Sequence, residues 1–221
     1  MGCVFRWCVA AGALLLLGAG AAASQGGAPR DGKLLLTGGV SSIDGAAGGG
    51  LTPWAVIGSY ATDDRVGVTA HLTAARSRDY ALGIVGVAVG FGDRLELSLA
   101  HQDLDTEDNL APLGLPGLHL RQDIVGAKLR LAGDAILDAD TWMPQIAVGV
   151  QAKQARTGGL EPTLTGALRA KTHGTDMYLS ATKLLLAQGV LVSATLRATK
   201  ANQNGLLGFG GTHGNRYREI G

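Results

Sequence analysis

Apolar and polar positions alternate with a period of two along most of this chain. In 66–73, Val66, Val68, Ala70 and Leu72 share one side of an extended segment, and Gly67, Thr69, His71 and Thr73 share the other. The same alternation sets Leu95, Leu97 and Leu99 against Arg94, Glu96 and Ser98 in 94–100. It sets Val125, Ala127, Leu129 and Leu131 against Gly126, Lys128 and Arg130 in 125–132. It recurs in 145–153 and in 190–199, where Lys153 and Arg197 fall on the polar sides. Strand side chains point to opposite faces in turn, so each segment predicts a β-strand with one apolar and one polar face. Segments 54–61, 80–91 and 176–186 carry apolar groups on both faces and read as further strands, and 33–39 reads as a short first one. About nine strands are visible.

The connections between them have a rhythm. Those at 40–53, 106–120, 154–174 and from 201 onward are long. Those at 62–65, 77–79, 92–93 and 187–189 are short, and 133–141 is intermediate. Apart from 77–79, long and shorter connections alternate. Outer-membrane barrels do this because periplasmic turns are tight while external loops are free to grow. Segments such as 80–91 and 190–199 are long for soluble strands and ordinary for membrane ones. The pattern predicts an all-β fold, an antiparallel up-and-down transmembrane β-barrel. A soluble β-sandwich, which also alternates, is the structural alternative.

The N-terminus places that barrel. Arg6 precedes an apolar run at 8–20 centred on Leu14, Leu15, Leu16 and Leu17, and Ala21-Ala22-Ala23 follows. This is the layout of a cleaved secretory signal peptide over 1–23, leaving 24–221 as the barrel domain. The apolar run is shorter than the ~20 residues a spanning helix needs. Cys3 and Cys8 both lie in the leader, so no disulfide stabilises the exported part. Loss of Arg6 reduces the 19 basic residues by one, to match the 18 acidic ones. A neutral chain gives no electrostatic case for binding nucleic acid. The expected location is the outer membrane of a Gram-negative cell, with membrane lipid as the partner. Six aromatic residues, Trp54, Tyr60, Tyr80, Phe91, Trp142 and Tyr178, sit near proposed strand ends, where interfacial girdles form.

Several stretches carry a resemblance. They are 32–54, with Ser42-Ile43-Asp44-Gly45 at its middle and Thr52-Pro53-Trp54 at its end; Gln122-Asp123-Ile124-Val125-Gly126; Trp142-Met143-Pro144-Gln145; Ser180-Ala181-Thr182-Lys183; and Gly205-Leu206-Leu207-Gly208-Phe209. Together they resemble a family of proteobacterial exported proteins of unknown function, the domain of unknown function 3034 family. The resemblance covers essentially all of the exported part. It implies outer-membrane placement and brings no activity and no site residues with it. Members of that family continue with further strands, so the chain is expected to lack its C-terminal ones. An odd count of nine points the same way, because single-chain bacterial barrels close with even numbers and free edges are not tolerated in lipid. Closure at eight or ten strands is the alternative.

Candidate chemistry is sparse. Gly45, Gly48, Gly49 and Gly50 fit neither a P-loop nor a dinucleotide fingerprint, and read as an external or lumen-folded loop that could constrict or plug the barrel. The five histidines have no metal-ligand spacing. A rim hydrolase would draw on His101, Asp103, Asp105, His173 and Asp176, but no nucleophile signature accompanies them. No catalytic, cofactor or metal residue is predicted. The charges on the polar faces, Glu96, Lys128, Arg130, Lys153 and Arg197, are expected to line the lumen. In a narrow barrel they would pair, Glu96 with Lys128 or Arg130. In a wide one they would line water and favour anions. The expected function is porin-like passive passage of small solutes rather than enzymatic chemistry. The alternatives are a rim hydrolase or a soluble periplasmic β-sandwich binding module.

Overall fold

In a computed structural model the described residues are 39–59, 65–135, 142–211 and 217–220. Among them no helix is long and apolar enough to cross a membrane. They form one antiparallel sheet curled into a half-barrel. Its strands run in chain order: β3 (Val66–Arg76), β4 (Ala81–Phe91), β5 (Leu95–Asp105), β6 (His119–Ala132), β7 (Gln145–Arg156), β8 (His173–Leu185), β9 (Val190–Thr199) and the short β10 (Tyr217–Ile220). Two earlier strands, β1 (Gly48–Gly49) and β2 (Thr52–Pro53), pair only with each other. Strands β3 to β10 form a single sheet, not the two stacked sheets of the sandwich alternative.

The alternation read from the sequence becomes an exposure pattern. On β5, Leu95, Leu97 and Leu99 are exposed while Glu96 and Ser98 are buried. The register sets Leu97 beside Ala127 and Leu99 beside Val125, so the exposed groups continue onto β6 as an apolar belt. Val148, Val150, Met177, Leu179, Val192 and Leu196 extend it across β7, β8 and β9. The inner face carries Lys128, Gln151, Lys153, Asp176, Thr182 and Arg197, all buried. A water-soluble sheet sorts its residues the opposite way.

Connections of unequal length mark the two ends. Those at 106–118, 157–172 and 200–216 leave one end, while 92–94 and 186–189 close the other. The turn at 77–80 and the connection at 133–144 depart from the rule. The 92–94 turn reverses the chain through Gly92 (φ 53°) and Asp93 (φ 49°), both in the left-handed region.

Three expectations change. The first strand at 33–39 falls outside the described residues except for Gly39. Segment 54–59 is not a strand, and 60–61 lies outside the described residues. Its backbone groups are taken by side chains of the sheet instead of by a neighbouring strand. Finally, β6 begins at His119 rather than at Val125. Its first half has the opposite polarity, with Leu120 and Ile124 buried and His119, Arg121 and Asp123 turned outward.

Candidate functional site

Residues 39–59 lie against the inner face of the sheet. Backbone groups of 40–54 bond one another in part, as Ser42 N does to Ala46 O and Trp54 N to Ala47 O, and the groups left over must be satisfied elsewhere. Long polar side chains of the inner face do this. Ala55 N donates to Thr182 Oγ1 at 2.9 Å, and Gln145 Nε2 donates to Ala55 O at 2.7 Å. Ser180 Oγ and Thr195 Oγ1 both donate to Pro53 O, at 2.9 and 2.7 Å. Gln102 Nε2 donates to Ile43 O at 2.7 Å. The glycines allow the close approach. A Cβ on Gly45, whose φ is +87°, would meet Ala100 Cβ at 2.9 Å, and one on Gly90 of β4 would meet Gly58 O at 2.4 Å. The glycine-rich stretch is therefore folded onto the inner face, where it sits as a plug-like segment in the hollow of the half-barrel.

Two buried ion clusters fasten it. In the first, Lys128 Nζ lies 3.0 Å from Glu96 Oε1, and both side chains are 1% exposed. The two residues are register partners on β6 and β5. The pair also grips the plug. Glu96 accepts from Ala47 N (3.1 Å) and Gly58 N (2.6 Å), while Lys128 donates to Ala47 O and Val56 O, each at 3.0 Å. Every charge thus has a counter-charge and further hydrogen bonds, the condition for an ion pair to be tolerated away from water.

The second cluster centres on Asp44 of the plug. Its Oδ2 accepts from Arg197 Nη2 at 2.8 Å, and its Oδ1 accepts from Lys153 Nζ at 3.2 Å. Lys153 Nζ is also 3.1 Å from Asp176 Oδ2. Asn204, from the 200–211 connection, completes the group. Its Oδ1 accepts from Lys153 (3.0 Å) and Arg197 (3.1 Å), and its Nδ2 donates to Asp44 Oδ1 at 3.3 Å. Thr199 donates to Asp176 from the neighbouring strand. Two cations and two carboxylates balance in one buried site. The 200–211 connection turns inward to reach it, with Phe209 buried beside Ala155 and Ala201 and seated over Gly174.

The five charged residues expected in the lumen do not act alike. Glu96 and Lys128 pair with each other, and Lys153 and Arg197 share Asp44. Arg130 faces the opposite end of the sheet, bonded to Asp93 and, at 3.2 Å, to Asp134. Its pairing with Glu96 does not occur, because Lys128 occupies that position. Asp44 and Asp176 face Lys153, and Asp44 also faces Arg197, so two acids beyond the five named charges join them on the inner face. Asp44 gave no periodic signal, lying in a glycine-rich loop. Asp176 sat in a segment with apolar groups on both faces.

The hydrolase residues do not converge. His173 is exposed and Asp176 is buried, on opposite faces of β8. His101 bonds Asp123 at 2.6 Å, and His119 bonds Asp103 at 2.7 Å, all on the outer face. Arg121 joins Asp103, and Arg156 joins Asp123. These residues form a polar band above the apolar belt of β5, β6 and β7. Two aromatic placements also change. Tyr178 points inward and is buried over Gly149, and Trp54 packs on Val56 and Ala135 within the plug. Tyr80, Phe91 and Trp142 are exposed near strand ends, and Tyr60 lies outside the described residues. Among the described residues no three His, Cys, Asp or Glu side chains come together as a metal site.

Comparison with curated proteins and with solved structures finds no match. A family model does match, over residues 37–220, which takes in the plug and every strand from β1 to β10. The chain belongs to the family described as "Protein of unknown function (DUF3034)".

Proposed function

We propose that this chain is an outer-membrane β-barrel protein, exported by its 1–23 leader, with a lumen filled by its own residues 39–59. The observation that carries this reading is the sorting of side chains on the sheet: leucines and valines outward, paired charges inward. An outward belt of this kind is costly in water and favourable in hydrocarbon. On the inner face the charged side chains of the sheet hold the backbone of the plug, as Glu96 and Lys128 do for Ala47, Val56 and Gly58. In this reading the work of the protein is passive and non-enzymatic, and small solutes pass only as far as the plug permits. The end carrying the long connections faces outside the cell, as free loops do in such barrels.

Gel migration of the detergent-refolded protein, unheated and boiled, tests the barrel. Faster migration unheated supports it, and a protein that stays soluble without detergent refutes it. Planar-bilayer conductance then tests the plug. Low conductance is expected for the whole chain, with a clear rise on deletion of 41–58. Equal conductance of the two would remove the plug from the account.

A further inference from the structure

The Asp44 cluster has the form of a binding site with its ligand attached. Without Asp44, the inner face presents Lys153 and Arg197, with the Asn204 amide between them and the Asp176 carboxylate beside Lys153. All four side chains hang from the sheet or from the inward connection, and none comes from the plug. Asp44 meets them as a free carboxylate would. One oxygen takes the Arg197 guanidinium, and the other takes the Lys153 ammonium and the Asn204 amide. The carboxylate is fully buried, as are the Lys153 and Asp176 side chains, and Arg197 is nearly so. Charge-assisted bonds of this kind are the strong ones, and each oxygen having its own donor fits a planar carboxylate.

We infer that Lys153, Arg197 and Asn204 form a site for a small monocarboxylate anion, and that Asp44 of the plug is its tethered occupant. The inference rests on the plugged-barrel reading and adds the chemical class of solute that displacement of the plug would admit. A dianion fits less well, because Asp176 stands beside Lys153.

Chemical rescue tests it. Asp44→Gly removes a group of the size of acetate, and Asp44→Asn keeps the shape without the charge. Each full-length variant is refolded in detergent and titrated with urea. The titrations are run with sodium acetate, and with sodium chloride or acetamide at matched concentration. For an affinity of about 10 mM, about 100 mM acetate raises the folded-to-unfolded ratio of Asp44→Gly about tenfold. Chloride and acetamide are expected to give much less, and Asp44→Asn, with its site still filled, no acetate-specific shift. An Asp44→Gly midpoint that acetate moves no further than chloride does overturns the inference. If Asp44→Gly does not refold in chloride, refolding in acetate supports the site, and failure in both salts counts against it. Heat-modifiable migration of the wild-type chain, read on the same gels, reports separately on the barrel.

Discussion

Separating Glu96 from Lys128 should show whether the inner face is a dry, interlocked core or the wall of a channel. Each side chain is 1% exposed, and the charges are 3.0 Å apart. Lys128→Met would leave the Glu96 carboxylate with only the Ala47 and Gly58 N–H groups, and would remove the donor from Ala47 O and Val56 O. Glu96→Gln would take the carboxylate away from the Lys128 ammonium. Breaking a buried pair from one side costs about 3–5 kcal/mol, because a charge is left uncompensated, which is about two to four powers of ten in the folded-to-unfolded ratio. Removing both charges together avoids that penalty, so the double variant should cost about 2–3 kcal/mol less than the two singles combined. Urea titration of the detergent-refolded protein would measure this, followed by Trp54 fluorescence with Trp142→Phe in the background. Trp54 packs against Val56 and Ala135, so its emission reports on the plug directly. Additivity within about 0.5 kcal/mol would refute the reasoning. It would mean that water separates the two charges and that the plug does not depend on them.

Two further outcomes follow from the two faces of the sheet. Leu97 is 46% exposed in the middle of the belt, so Leu97→Arg should weaken refolding into lipid vesicles by about 2–4 kcal/mol; a change within about 0.5 kcal/mol, the usual surface effect in water, would argue that this face does not meet lipid. On the inner face, a Cβ on Gly149 would meet the Tyr178 ring at 2.2 Å, whereas one on Gly166 would meet nothing within 4 Å. Gly149→Ala should therefore lower the unfolding free energy read by urea titration by about 1–3 kcal/mol through overpacking, with Gly166→Ala nearly neutral; equal effects would show that Tyr178 does not sit where the structure puts it.

Most of the sheet was legible because a period of two survives wherever one face is uniformly apolar. Val66 to Leu72, Leu95 to Leu99 and Val190 to Ala198 are such runs, and their strands start within a residue of expectation. The pattern failed where the outer face changes character. On β6 the outward residues pass from Leu131, Leu129 and Val125 to Asp123, Arg121 and His119, while Ile124 and Leu120 turn inward. The apolar phase shifts by one residue at that point, so the strand looked as if it began at Val125. On β5 the same change hid the stretch from His101 to Asp105. The plug was half legible. Its glycines marked a loop that could enter the barrel, but Trp54 to Ser59 resembled a strand, since nothing local shows that a distant Thr182 or Gln145 will take its backbone. Glu96 and Lys128 could be matched because strand register is nearly local. Asp44 with Arg197 could not, because no sequence rule joins a loop to a strand so far along the chain.

That distance has a consequence for assembly. The plug precedes every long strand, yet its partners are spread to the far end: Asp44 and Arg197 are 153 positions apart, and Asp44 and Asn204 are 160 apart. Asp44 has no counter-charge until Lys153 of β7 is in place, and its cluster is complete only with Arg197 of β9 and Asn204 beyond it. Closing so large a loop is entropically costly, and contacts this distant in sequence slow folding. The sheet, whose strands each pair with the next, can zip progressively from neighbour to neighbour. The plug can only lock once the sheet is built, so it is made first and seated last.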